Sequence, residues 1–245
     1  AWIGATDRPF HLEVDTGMAR SGVRWDDSGA LAEARALLPG AVGWEGVFTH
    51  FHSPDTDPAA TRVQWDRFQS AVSGFHRRPE LVHAANSAAA LRGSVYAGDL
   101  IRPGIFLYGG SAGFPAPRPV AYLRTRVVGL RTVPQGETVS YGATWAAERD
   151  TTVATLAIGY ADGVPRALGN RGSVEIRGQV LPIVGRVTMD MTMIAPAGGC
   201  AIGDVASLYG GLVSLDAQAD AGQTISYELL TAIGARVARR YSLDP

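Results

Sequence analysis

The sequence predicts an α/β chain in two parts, parallel βα units followed by a mostly antiparallel β domain, and three observations predict it. From residue 11 to about residue 110, short apolar strands alternate with helical patterns, the rhythm of strands joined by crossover helices. Residues 109–119, rich in Gly and Pro, read as a linker. Beyond the linker, strands and turns follow one another without long regular helices. The expected domains are residues 1–117 and 118–245.

In the first part, His11–Asp15 reads as a strand. Asp27 or Ser28 caps a helix running to Leu38, which Pro39-Gly40 ends. Val42–Phe48 is the next strand. Residues 58–75 carry a helical pattern with Val63, Phe68 and Val72 on one side and Pro58 in its first turn. Leu81–Ala85 is a third strand, followed by a short helix capped by Asn86 or Ser87, and Ile101–Leu107 is a fourth strand. A doubly wound sheet and a (β/α)8 barrel both satisfy this rhythm; four strands do not close a barrel, which usually takes about 250 residues. In the second part, strands are expected at 121–133, 152–158, 173–177, 180–184 and 204–209. Gly178-Gln179 and Gly198-Gly199 supply turns, and one late helix is capped by Ser226 with Leu229, Leu230 and Ile233 as its apolar side.

Of the 245 residues, 46% are hydrophobic and 18% charged, enough apolar material for one or two buried cores, which excludes a disordered chain. A net charge of -1 without a basic run argues against nucleic acid or an anionic membrane as partner. No apolar run approaches the length of a membrane span, and Ala1–Asp7 lacks the features of a signal peptide. Cys200 is the single cysteine, so no disulfide framework or cysteine zinc site forms within the chain, and a cytoplasmic protein fits. The absence of an initiator methionine raises the expectation of a processed or truncated chain. All 22 basic residues are arginine; lysine is absent.

Parallel-sheet enzymes bind ligands at the C-terminal ends of their strands. Four polar sets fall there: Asp15 with Arg20, His50 with His52, Asn86 with Ser87, and Arg102 with Gly104. Each alone is as consistent with an ordinary surface or loop role. His50 and His52 with Asp55 and Asp57 lack a spacing that sets a third metal ligand, so no metal site is expected. A helix start at Asn86-Ser87, with a hydroxyl and free amides, suits an anion such as a phosphate, and Gly104 lets the backbone approach a ligand closely. In the second part Tyr160 lies in a glycine-flanked turn, Gly159 to Gly163, and Gly185–Met191 ends an apolar strand in a polar pair.

Read jointly, these motifs resemble the alanine racemase family, bacterial enzymes that interconvert L- and D-alanine for cell-wall synthesis. The matching stretches are His11–Gly22, Phe48–Phe51, Ala85–Ser87, Arg102–Gly109, Val133–Gly142, Ile158–Gly163 and Val184–Asp190, seven in order. The resemblance implies pyridoxal 5'-phosphate as cofactor and a small amino acid as substrate. It also implies the C-terminal part of a (β/α)8 barrel followed by a mostly antiparallel β domain, in a homodimer with shared active sites. Tyr160 matches the family's second catalytic base. Arg102 matches the arginine facing the pyridine nitrogen; an arginine stays protonated, so the ring nitrogen does not, and the ring is a weaker electron sink. His50 matches the histidine packed on the ring, Ser87 a phosphate ligand, and Gly104 with Ile105 the backbone on the phosphate. Arg20 matches the arginine that bonds the cofactor's phenolic oxygen and orients the substrate, and Met189 with Asp190 the substrate end of the site. Where many members carry a carbamylated lysine supporting that arginine, this chain has Glu13, expected to substitute for it. Where the family often has a tyrosine before an arginine near the last helix, this chain has Ala235-Arg236, leaving Tyr227 as a candidate replacement.

The family's cofactor lysine sits near the start of the protein, on the first barrel strand. Without lysine, the α-amine of Ala1 would be the only primary amine in these residues. The resemblance therefore implies the C-terminal two-thirds of the enzyme, incomplete as this chain alone. An N-terminal fragment of about 120–130 residues would complete the barrel and supply the lysine. Two alternatives are a non-catalytic relative binding a phosphorylated ligand and a racemase of another small amino acid such as serine.

Overall fold

The computed structural model describes residues 8–242, so the readings on Ala1 and on the N-terminal heptapeptide lie outside the described residues. The chain divides into two compact units, Ala1–Phe106 with Ala112–Ala116, and Leu107–Ser111 with Pro117–Pro245. The fold is a (β/α)-barrel region and an antiparallel β-sheet domain.

In the first unit, strands β1 (Phe10–Asp15), β2 (Val23–Arg24), β3 (Trp44–Phe48) and β4 (Leu81–His83) form a parallel sheet in the order β2-β1-β3-β4. Alternation along the strands gives its faces opposite characters. Leu12, Val14, Val47 and Val82 pack into one apolar cluster with Leu31, Phe68, Ala71 and Phe75. The register sets Glu13 opposite Phe48 and Phe48 opposite His83, so His11, Glu13, Phe48 and His83 share the other face. Asp27 caps helix α1 (Ser28–Leu37), accepting from the Ala30 amide at 2.9 Å. Asp57 caps helix α2 (Pro58–Ser73) in the same way, through the Ala60 amide at 2.9 Å with Pro58 in the first turn. Asn86 caps the short helix α3 (Ser87–Leu91).

Two expectations change here. The buried side of α2 is Thr61, Gln64, Phe68 and Ala71, and Val63 is exposed, because the polar Gln64 has partners inside that repay its burial. Ile101–Leu107 is not a strand: Arg102 makes a single parallel bridge to Asn86, and Ile105–Tyr108 is a 3-10 turn. Pro103 has no N–H to continue a ladder.

The second unit is built on strands β5 (Leu123–Val133), β6 (Thr138–Val139), β7 (Trp145–Ala146), β8 (Thr151–Leu156), β9 (Ser173–Ile176), β10 (Gln179–Pro182), β11 (Thr192–Ile194) and β12 (Val205–Tyr209). Six of them form an antiparallel sheet, β10-β9-β12-β5-β8-β11, while β6 and β7 pair separately. Leu156, Leu168, Ile176, Ile183, Ile194, Leu208 and Leu229 fill its core. Two helices follow, α4 (Leu215–Ala221) and α5 (Ser226–Thr231). Ser226 is not the cap expected of it: Ile225 holds that position, and the Ser226 hydroxyl donates instead to Asp216 on α4 at 2.5 Å. Among the described residues, no helix is long and apolar enough to cross a membrane.

Candidate active site

In the first unit, the polar residues of the strand ends are drawn together by side chains. Gln64 is 1% exposed; its amide donates to Thr16 Oγ1 and to the His50 carbonyl, both at 3.1 Å, and its oxygen accepts from the His52 amide at 3.1 Å. One glutamine thus holds the His50–His52 backbone against the end of β1. Sequence reasoning missed it, because a polar residue at one helical position carries no sign of what it meets. His50 is half-buried, and burial, then the charges of Arg102 and Arg20, hold its pKa below the usual histidine range against the pull of Glu13. His52 turns to Ser53 instead, at 2.8 Å. Among the described residues, no group of His, Cys, Asp or Glu is arranged to hold a metal ion.

Glu13 and Arg20 are not joined by an ion pair among the described residues; the Glu13 carboxylate accepts from the Ser21 hydroxyl at 2.5 Å, and Arg20 is exposed. Asp15 shapes the turn between them. Burial opposes its ionisation, but the Ala19 and Gly17 amides and the Arg24 charge outweigh that and hold the carboxyl below its ordinary range.

The Arg102 guanidinium is half-buried, 5.1 Å from the centre of the Phe48 ring. It donates to His83 Nδ1, to the Thr49 carbonyl at 2.8 Å and to the Ala84 carbonyl at 3.2 Å. A guanidinium has five N–H donors, so two remain for a ligand. Ser87, 4% exposed, accepts from the Gly104 amide at 2.8 Å and from the Phe106 amide at 3.4 Å. Its own hydroxyl proton stays available to an anion. A Cβ added at Gly104 would meet nothing within 4 Å, so open space lies at this cradle, and the neighbouring Ile105 is buried.

In the second unit, the backbone does the holding. Gly159–Gly163 lies directly on Thr188–Asp190: the Tyr160 amide donates to the Thr188 carbonyl at 2.9 Å and the Ala161 amide to the Met189 carbonyl at 3.0 Å. A Cβ at Gly159 would collide with both carbonyl oxygens, so this contact requires glycine. Gly163 has φ +104° and closes the turn. Tyr160 is 45% exposed at the tip, and Met189 and Asp190 are exposed beside it. Two residues outside the predicted set complete the arrangement. Arg236 donates to Asp162 Oδ1 and to Asp190 Oδ1, both at 2.6 Å, and Asp162 Oδ2 accepts from the Gly159 amide at 2.9 Å. Burial raises the Asp162 pKa, but the Arg236 and Gly159 bonds outweigh it and hold the carboxyl below its ordinary range. Ala235 is exposed and Tyr227 lies in the first turn of α5. The spacing of Arg236 after the late helix was the available signal, but its partners are 74 and 46 residues away.

Fold and site define a protein of two units, a (β/α)-barrel region whose polar groups gather at the C-terminal ends of its parallel strands and an antiparallel β domain that presents Tyr160. Comparison with known proteins narrows this. The alanine racemase N-terminal domain model matches residues 4–112 and the alanine racemase C-terminal domain model residues 120–241. An alanine racemase of Deinococcus radiodurans is 43% identical over 94% of this chain and 66% of its own length; one of Sorangium cellulosum is 38% identical over 94% and 65%. The crystal structure of the biosynthetic alanine racemase from Pseudomonas aeruginosa superposes with a TM-score of 0.88 at 34% identity, over 98% of this chain and 70% of that one. That of Bartonella henselae, with covalently bound pyridoxal phosphate, gives 0.86 at 31% over 96% and 66%. The chain belongs to the alanine racemase family.

These matches correct the expectation of a chain that lacks the family's N-terminal segment, incomplete on that account and dependent on a separate N-terminal fragment as partner. The N-terminal domain is present, since its model matches residues 4–112. The absence of lysine is a fact of composition, and composition does not report where a domain begins. The chain spans about two thirds of the length of the relatives it matches, 65% and 66% in the two cases above.

Proposed function

We propose that this protein serves the pyridoxal phosphate-dependent interconversion of L-alanine and D-alanine in the cytoplasm, with a domain boundary at residues 117/118. The buried Ser87 hydroxyl, with the open space before Gly104, carries the reading. It offers a proton to a phosphate oxygen where the backbone leaves room, and Arg102 keeps two N–H donors for a ring nitrogen on the same sheet edge. This donor set fits the cofactor. When bound, pyridoxal phosphate supplies an electron-withdrawing ring that acidifies the α-proton of an amino acid.

This chain's residues take the remaining roles. Ser87 with Gly104 and Ile105 holds the phosphate, and His50, pinned through its carbonyl by Gln64, packs against the ring. Arg102 faces the ring nitrogen as a permanent cation and moderates electron withdrawal, which suits proton exchange over competing reactions. Arg20 orients the substrate, with Glu13 supporting its charge through space. In the second unit, Tyr160 Oη takes and returns the α-proton on one face, and Met189 and Asp190 border the substrate.

Binding of pyridoxal 5'-phosphate to the purified chain, followed by ³¹P NMR, tests the cradle. Ser87→Ala is expected to weaken it about tenfold, the scale of one charge-assisted hydrogen bond. No binding, or equal binding by the variant, would reject the assignment. In the enzyme, Tyr160→Phe is expected to slow α-proton exchange with D₂O from one alanine enantiomer by about 10²–10⁴-fold, far more than from the other. Equal losses for both would make Tyr160 a structural residue. Glu13→Gln with unchanged activity and cofactor binding would remove Glu13 from the support of Arg20.

A further inference from the structure

Two hydrogen bonds and an ion-pair contact lead away from Arg102 across the face of the parallel sheet that carries His11 and His83. Arg102 Nη1 meets His83 Nδ1; His83 Nε2 meets His11 Nδ1 at 2.7 Å; His11 Nε2 lies 3.5 Å from Glu45 Oε2. The proton positions follow by elimination. A guanidinium only donates, so His83 Nδ1 must accept, and the neutral His83 ring carries its proton on Nε2. That proton goes to His11 Nδ1, which leaves the His11 proton on Nε2, pointing at the Glu45 carboxylate. Every donor then points the same way, from the arginine cation toward the glutamate anion, an order in which the two hydrogen bonds polarise each other and the glutamate charge favours the last proton's place.

The sheet is built to allow it. His11 and His83 sit on β1 and β4, with β3 between them, and the β3 residue opposite His11 is Gly46. A Cβ there would lie 2.9 Å from His11 Nδ1 and would also strike the Leu81 carbonyl, so the glycine opens the path over which the two rings touch. Phe48 stacks on His83, with centroids 5.3 Å apart and planes 4° from parallel, and its ring lies under Arg102. His83 is 4% exposed. The charged and titratable groups around it are Arg102, His11 on β1 and Asp99; burial first, then Arg102 and His11, push its pKa down to about 4, which keeps the ring neutral at physiological pH.

We propose that His11 and Glu45 are positioning residues for Arg102: together they hold His83 in its Nε2–H tautomer, so that Nδ1 remains an acceptor and pins the guanidinium in one orientation. Without the Glu45 carboxylate, His11 is free to move its proton to Nδ1. His83 Nε2–H then faces another donor and the pair must turn apart, releasing Arg102. The logic is that of a third group orienting a histidine toward the residue it serves. The assignment rests on Arg102 facing the cofactor only for its purpose; the proton pattern is independent of that reading.

Long-range ¹H–¹⁵N correlation of the chain labelled at histidine reads the tautomers directly. At pH 7, His83 and His11 are each expected to show an unprotonated Nδ1 and a protonated Nε2. Glu45→Gln changes a partly exposed side chain and is expected to lose the single tautomer at His11 while the fold is retained. His11→Phe is expected to speed hydrogen exchange of the Arg102 Nη protons about threefold, the scale of losing one neutral hydrogen bond. A protonated Nδ1 in either ring, or a Glu45→Gln spectrum identical to the parent's, would overturn the proposal. If His11→Phe does not fold, Glu45→Gln decides alone. Failure of the racemase reading would leave these spectra unchanged, and failure of the tautomer pattern would leave pyridoxal phosphate binding at Ser87 unchanged.

Discussion

The two units hold their chemical groups by different means. In the first, side chains do the holding, across long stretches of sequence: Gln64 reaches Thr16 48 residues away, and His83 reaches His11 72 residues away. In the second, the Tyr160 turn itself is held backbone to backbone, bonded through its amides to the Thr188 and Met189 carbonyls where glycine makes the approach possible, with the Arg236 side chain bridging beside it. The difference decides what a sequence shows. A backbone contact without room for a Cβ leaves a glycine beside the functional residue. A side-chain network leaves only ordinary residues at unremarked positions.

If this contrast is right, the largest effect should come from the backbone contact. Gly159→Ala drives a Cβ into two carbonyls that cannot yield without breaking the Tyr160 and Ala161 amide bonds, and is expected to cost about 2–4 kcal/mol of stability in urea unfolding. A change below about 0.5 kcal/mol, the range of an ordinary surface substitution, would show that the turn is softer than its packing implies. In the first unit, Gln64→Ala removes the partners of the His50 carbonyl and the His52 amide and is expected to cost about 1–3 kcal/mol. Its sharper consequence is local: hydrogen exchange at His52 should accelerate, and unchanged exchange would mean that another group holds that loop.

The smallest effect at neutral pH comes from His83. Its folded pKa of about 4 lies below the ordinary 6.5, so the unfolded chain binds more protons between those values. The contribution is therefore fully present above about pH 6.5 and is lost as pH falls toward about 4. Arg102→Met removes the second-largest cause of the shift, so the variant is expected to lose less stability than the parent over that window. Parallel pH profiles for the two proteins would show that the Arg102 charge does not contribute to the shift.

Much of the architecture was legible because it depends on local pattern. Apolar alternation placed β1, β3 and β4, Asp27 was one of two cap candidates for α1, Pro58 marked the first turn of α2, and a glycine-flanked turn marked Tyr160. The misses share a cause. Ile101–Leu107 is apolar enough for a strand, but Pro103 cannot join a ladder, and Ser226 is a good cap residue whose hydroxyl found a carboxylate on another helix. Lysine is absent from all 245 residues, yet the N-terminal domain match shows that this absence is no marker of a missing domain.

By itself, the sequence determined the succession of parallel βα units and a strand-rich second part, the longer strands of each, and which residues had the chemistry to meet a phosphate or move a proton. Only the tertiary structure decided that Gln64 holds the His50 loop, that Arg236 joins Asp162 to Asp190, and that Arg102, His83, His11 and Glu45 form one line. The first set depends on neighbours a few residues apart, whose preferences the chain carries locally. The second depends on distances between residues up to 74 positions apart, which exist only once the strands have paired and the rings have met.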